Sequence, residues 1–240
     1  MAPSPSVPSY ARAHWWFTAA LAAIVAGFWP SFFRPMGTGE WWHTLHGSTA
    51  TGWVVTLIVQ SWLMSRGLVR WHRGVAMVAL FVLLPLLVVS ALYMIAAMAV
   101  NPRMPPFLPP LLAYIDFPSL AFLLVLVGLA LRNIRTPEAH KRFMSATVLL
   151  AFPPALTRLY ARLGEGVISF PQALHLSFAT VYLVLLALML HDRRVGQKRL
   201  AYPLSLAFFV LVQATMGPVA ATGAWQDFLG WFAGLPPFAP

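Results

Sequence analysis

The sequence predicts an all-α polytopic membrane protein, a bundle of seven transmembrane helices with an interfacial C-terminal segment. Three observations carry that reading. Hydrophobic residues make up 60% of the chain and charged residues 9%, with a mean hydropathy of +0.74, whereas a soluble domain carries roughly 25% charged residues. Apolar runs near the bilayer-spanning length of about 20 residues recur along the chain. The basic residues fall in short clusters between those runs, so the formal charge of +10 marks topology and not a nucleic-acid footprint.

The Pro/Ser-rich tail, residues 1–14, precedes the first span, Trp15 to Phe33. That span closes with Trp29, Pro30, Phe32 and Phe33, not with the small residues of a cleavage site, so it is expected to stay in the mature protein. Span two runs from His43 to Ser65 and span three from Gly74 to Val100. Span four, Pro109 to Leu131, follows the stretch MPPFLPP, and proline there favours a helix that begins only near Pro118. Spans five, six and seven are Ala139 to Tyr160, Pro171 to His191 and Ala201 to Ala221. The membrane domain therefore covers residues 15–221. The tail 222–240 is too short for another span, but Trp225, Phe228, Leu229, Trp231 and Phe232 give it an apolar face suited to the outer interface.

Twelve of the 16 Lys and Arg lie before span one or in and beside the loops after spans two, four and six, against Arg34, Arg103, Arg158 and Arg162 on the other side. The positive-inside rule then places the N-terminus in the cytoplasm and, after seven spans, the C-terminus outside. No internal repeat signals the inverted halves of a secondary transporter.

The chain has no cysteine, which excludes disulfides, thiolate metal sites, iron–sulfur clusters and covalently attached c-type haem. Its carboxylates are Glu40, Asp116, Glu138, Glu165, Asp192 and Asp227, and none is expected deep within a span. That argues against a carboxylate-bridged di-iron centre. It also argues against an ion-coupled carrier, because the mid-depth polar groups are Gln60, Ser90, Thr147 and Thr180. Pro85, Pro153 and Pro154 break their helices, and the carbonyls they free either line a site or mark packing kinks.

The histidines sort by depth into two layers. His43, His46 and His175 fall toward the outer face; His14, His72, His140 and His191 fall toward the cytoplasm. A rise of 1.5 Å per residue separates His46 from His72 by roughly 30 Å or more, so no single site takes ligands from both layers. His14, His72 and His191 also suit the plain role of amphipathic residues at the interface. His46 and His175 lie within apolar sequence, where an ionisable group needs a partner inside the bundle. His43 shares the His46 face at i−3, and Gly47 admits either a flat ligand or ordinary helix packing.

Imidazole is the usual axial ligand of b-type haem and the commonest metal ligand. One arrangement holds haem b between His46 and His175, with Arg158 and Arg34 near its propionates. A second haem between His72 and His140, served by Arg73 and Arg142, would complete an electron path. The competing use of the same atoms is a zinc site of His43, His46 and His175, with Glu40 as fourth ligand or base, in a membrane hydrolase or sensor. A third possibility binds no cofactor and packs as an accessory or assembly subunit against a larger membrane redox complex.

The motifs HTLHG (His43 to Gly47), RWHRG (Arg70 to Gly74), TPEAHKRFM (Thr136 to Met144) and ALTRLY (Ala155 to Tyr160) occur in that order. In this the chain resembles uncharacterised bacterial multi-spanning membrane proteins with an HxxHG, HRxxG and HxRxM signature, although its second glycine falls earlier than in that pattern. The resemblance covers Trp42 to Tyr160 and implies a bacterial plasma-membrane location without implying a chemistry. In the order of its histidines the chain is also similar to cytochrome b561, whose likeness implies two haems held by histidines from four helices.

Overall fold

The computed structural model describes residues 12–37, 40–196, 199–236 and 238, and the described residues form helices and turns with no strand among them. Most of the tail 1–14, and Lys198, lie outside the described residues. Helix α1 (Ala13–Phe28) continues into a π-helical turn, Trp29–Phe33, where Pro30 lacks the N–H that would extend the regular ladder. Helix α2 spans Trp41–Ser65. Helices α3 (Val69–Val78) and α4 (Leu84–Ala99) form one rod joined by a second π turn, Ala79–Leu83, beside Pro85.

Helix α5 is Leu108–Arg132. Helices α6 (Pro137–Thr147) and α7 (Phe152–Leu163) are joined by a 3₁₀ turn, Val148–Ala151, immediately before Pro153 and Pro154. Helix α8 (Phe170–Arg194) starts from a capping box in which the Ser169 N–H donates to Gln172 Oε1 at 2.8 Å. Helix α9 is Ala201–Ala220, and the short α10 is Gly223–Ala233.

The long rods match the expected spans to within a few residues. Helix α5 begins at Leu108, beside the expected Pro109 and not at the later start near Pro118. Pro109 and Pro110 occupy its first turn, where the backbone N–H groups have no helical acceptor, so proline there removes no bond. Asp116 is consequently inside the helix.

Among the described residues, five helices are long and apolar enough to cross a membrane by length and composition: Ala13–Phe33, Val69–Ala99, Leu108–Arg132, Phe170–Arg194 and Ala201–Ala220. Helix α2 and the rod 137–163 are more polar, and packing explains the second. Its α6 half lies against α5 and α9, and its α7 half against α1 and α8. A central rod meets protein on most sides and needs little lipid-compatible surface.

The remaining rods pack each against the next in the order α1, α2, α4, α5, α9 and α8, and the α7 half of the central rod bridges α8 to α1. The α1–α7 crossing depends on Gly27, since a Cβ there would lie 2.2 Å from the Ala155 carbonyl oxygen. On the other flank Trp53 Nε1 donates to Thr147 Oγ1 at 3.0 Å, tying α2 to the central rod.

An ion cluster fixes the end of the bundle where α6 starts, called here the Arg142 end. The Arg142 side chain is fully buried, and its Nε and Nη2 each donate to one oxygen of Asp192 on α8 at 2.7 Å. Its Nη1 donates to the Glu138 carbonyl at 2.7 Å and to Glu138 Oε2 at 2.6 Å. Lys141 donates to the other Glu138 oxygen. Burial alone would raise the Glu138 carboxyl, but hydrogen bonds and charge from Lys141 and Arg142 outweigh it and hold the group below the usual carboxylate range.

At the opposite, His46 end, α10 packs on α4 and α5. The apolar face expected to lie in the interface is divided. Leu229, Phe232 and Ala233 are buried against Ile95, Ala96 and Ala113, whereas Trp231 stays exposed. Trp225 Nε1 donates to the Pro110 carbonyl at 2.8 Å and anchors the helix to the first turn of α5.

Candidate functional site

The His46 end contains a cavity of about 330 Å³ walled by α1 with its π turn, α2, α4, α5, the central rod and the first turns of α8. Each wall has a local reason to open. The π turn carries Phe32 and Phe33 inward from α1, the 3₁₀ turn and Pro153–Pro154 narrow the central rod, and α5 presents Asp116 and Ser119. The lining is mainly apolar with a few polar groups, the usual composition of a small-molecule site.

His46 lines this cavity, and its Nδ1 is buried without a hydrogen-bond partner among the described residues. His43 lines it one turn away, its ring edge-on to Phe32 with centroids 5.8 Å apart. The flat group seated against Gly47 is protein: a Cβ there would come within 2.1 Å of the Phe32 ring. Packing thus uses Gly47, and the same ring helps to shape the cavity wall.

Arg158 also lines the cavity. Its Nη1 donates to the Pro154 carbonyl at 2.8 Å, and its guanidinium lies over Phe28, 4.7 Å from the ring centroid. Asp116 faces the same space from α5, although no carboxylate was expected deep within a span. No ion pair within 4.0 Å joins Asp116 to Arg158. Two opposite charges therefore share one low-dielectric space without neutralising each other by contact.

The other expected ligands go elsewhere. His175 is exposed on α8; its Nδ1 lies 2.9 Å from Gln213 Nε2, and Gln213 Oε1 accepts from Tyr182. His175 is therefore not part of the cavity wall: it lies on the α8 face toward Gln213 of α9, while its neighbour Leu174 lines the cavity. Arg34 is exposed beyond the π turn and Glu40 is exposed ahead of α2. The described residues contain no group of three His, Cys, Asp or Glu able to hold a metal ion, so His43, His46, His175 and Glu40 do not assemble as a zinc site.

At the Arg142 end, His140 Nδ1 donates to the Ala130 carbonyl at 2.9 Å, which leaves its Nε2 as the other ring nitrogen. His72 Nδ1 is buried without a hydrogen-bond partner among the described residues. Arg142, expected near inner propionates, is taken up by Asp192 and Glu138.

Asp116 was legible in one respect: it is the only acidic or basic residue in the stretch LLAYIDFPSLAFLL. An acid in such a run is a functional candidate by default. The cavity methionines Met94 and Met98 on α4 had no such signal, since methionine in an apolar span reads as packing. Comparison of the chain with protein-family models, with curated proteins and with solved structures finds no match in any of the three.

Proposed function

We propose that the protein is a seven-span bacterial inner-membrane protein, N-terminus cytoplasmic and C-terminus outside, that holds a redox cofactor at His46 and serves electron transfer as an accessory protein. Helix lengths and the clustering of basic residues at the Arg142 end support the topology, which puts the cavity in the outer half of the membrane. The observation that carries the function is the partnerless, buried Nδ1 of His46 on a cavity that also exposes Asp116 and Arg158. An imidazole nitrogen left unpaired in the bundle interior costs free energy that a bound ligand repays.

Two occupants suit one cavity imidazole: b-type haem, with Arg158 beside a propionate, and a metal ion. A haem between His46 and His175 does not fit, because His175 is engaged by Gln213 outside the cavity. The test is an absorption spectrum and metal analysis of detergent-purified protein beside His46→Ala. A chromophore or bound metal that His46→Ala loses supports the reading. Colourless, metal-free protein that travels with a larger membrane complex overturns it in favour of a non-catalytic accessory subunit.

A further inference from the structure

We infer that the cavity binds a copper(I) ion through His43, His46 and Met94, with Met98 beside them. The inference rests on the reading that the cavity holds a cofactor at His46, and it names that cofactor.

The donors are brought together by two helices. His43 and His46 are three residues apart on α2, and Met94 and Met98 are four apart on α4, so each pair shares one helix face. Both faces line the same cavity. Helices α2 and α4 run antiparallel in a register pinned at two points: Thr49 Oγ1 lies 3.2 Å from Ser90 Oγ, and the rings of Trp41 and Tyr93 are 4.9 Å apart. Those pairings put Met94 within about one turn, ~5.4 Å, of His43 and within about two turns of His46 along the bundle axis, with Met98 a further turn outward.

Donor chemistry selects the ion. Thioether sulfur is a soft ligand that hard cations such as magnesium or calcium decline, and a set of imidazoles and thioethers favours copper(I). Zinc requires more imidazole, thiolate or carboxylate than gathers among the described residues. The cavity holds one carboxylate, Asp116, and one guanidinium, Arg158, whose charges offset each other, so a monovalent ion adds the least uncompensated charge of any metal. Edge contact with Phe32 orients the His43 ring, as supporting contacts do for metal ligands.

The test uses the full chain purified in detergent and kept reduced, with copper(I) supplied in competition with a chromophoric chelator. Wild-type protein is expected to withdraw stoichiometric copper(I), and X-ray absorption should show a sulfur shell around it. Met94→Leu with Met98→Leu, which conserves volume, should weaken binding by more than about tenfold, since even outer-shell changes cost that much, and should remove the sulfur shell. His175→Gln, outside the cavity, should bind as wild type does. Equal unfolding temperatures exclude misfolding as the cause. If the double leucine variant binds copper(I) like wild type, the methionines only pack and the inference fails. A Soret band without copper binding overturns copper but keeps the cofactor reading, whereas protein that takes up neither copper(I), haem nor another metal overturns both.

Discussion

Asp192→Asn tests how far the buried ion cluster holds α6 against α8. The carboxylate receives two hydrogen bonds of 2.7 Å from a guanidinium with no solvent exposure, and it is itself only 5% exposed. Asparagine keeps the shape but removes the charge and turns one acceptor into a donor facing Arg142. Leaving a buried charge without its partner costs about 3–5 kcal/mol. Glu138 still receives Nη1, so the lower end, about 3 kcal/mol, is expected. For a chain of this size about 1 kcal/mol corresponds to roughly 2–4 °C, which predicts a fall of roughly 6–12 °C in unfolding temperature. Scanning tryptophan fluorescence in detergent reads it, because ten tryptophans report on the bundle. Replacing both partners, Arg142→Met with Asp192→Leu, should restore most of the loss, since a well-packed apolar pair removes the desolvation penalty. A single Asp192→Asn variant that unfolds within about 2 °C of wild type would refute the reasoning, as it falls below the loss expected from even one kcal/mol or so.

Gly27→Ala should separate α1 from α7, because its new Cβ would meet the Ala155 carbonyl at 2.2 Å; a loss of about 1–3 kcal/mol is expected, while Gly217→Ala, with nothing within 4 Å, should be neutral in the same melt. Thr147→Val leaves Trp53 Nε1 buried without its acceptor and should destabilise by about 1–3 kcal/mol, most of which Trp53→Phe in the same chain recovers if the bond is the cause. The Glu138 carboxyl is held low in the folded state, so its contribution is complete above the ordinary carboxylate value and is lost as pH falls through the lowered one. Unfolding temperature measured across acidic pH should therefore drop less steeply in Glu138→Gln than in wild type; superimposable slopes would count against the Lys141 and Arg142 contacts as its source.

What the sequence alone determined is the set of rods. A bilayer leaves backbone polar groups no partner except within a helix, so span length and apolarity nearly dictate where helices run, and the observed rods fall where the apolar runs lie. His46 was legible for the same reason, as an ionisable group within apolar sequence. The exception, Asp116, was hidden by local chemistry: proline reads as a helix breaker, yet in the first turn of α5 it is tolerated, and the helix thereby carries the acid into the bundle. Only the tertiary structure decided which faces meet. Periodicity puts His43 with His46, and Met94 with Met98, but cannot say that these two faces share a cavity while His175 turns to Gln213. Nor could it choose Asp192 for Arg142 or Phe32 as the ring against Gly47. The physical reason is that a helix fixes its own neighbours at three and four residues, whereas its rotation and register against other rods are settled by side-chain packing between segments distant in the chain.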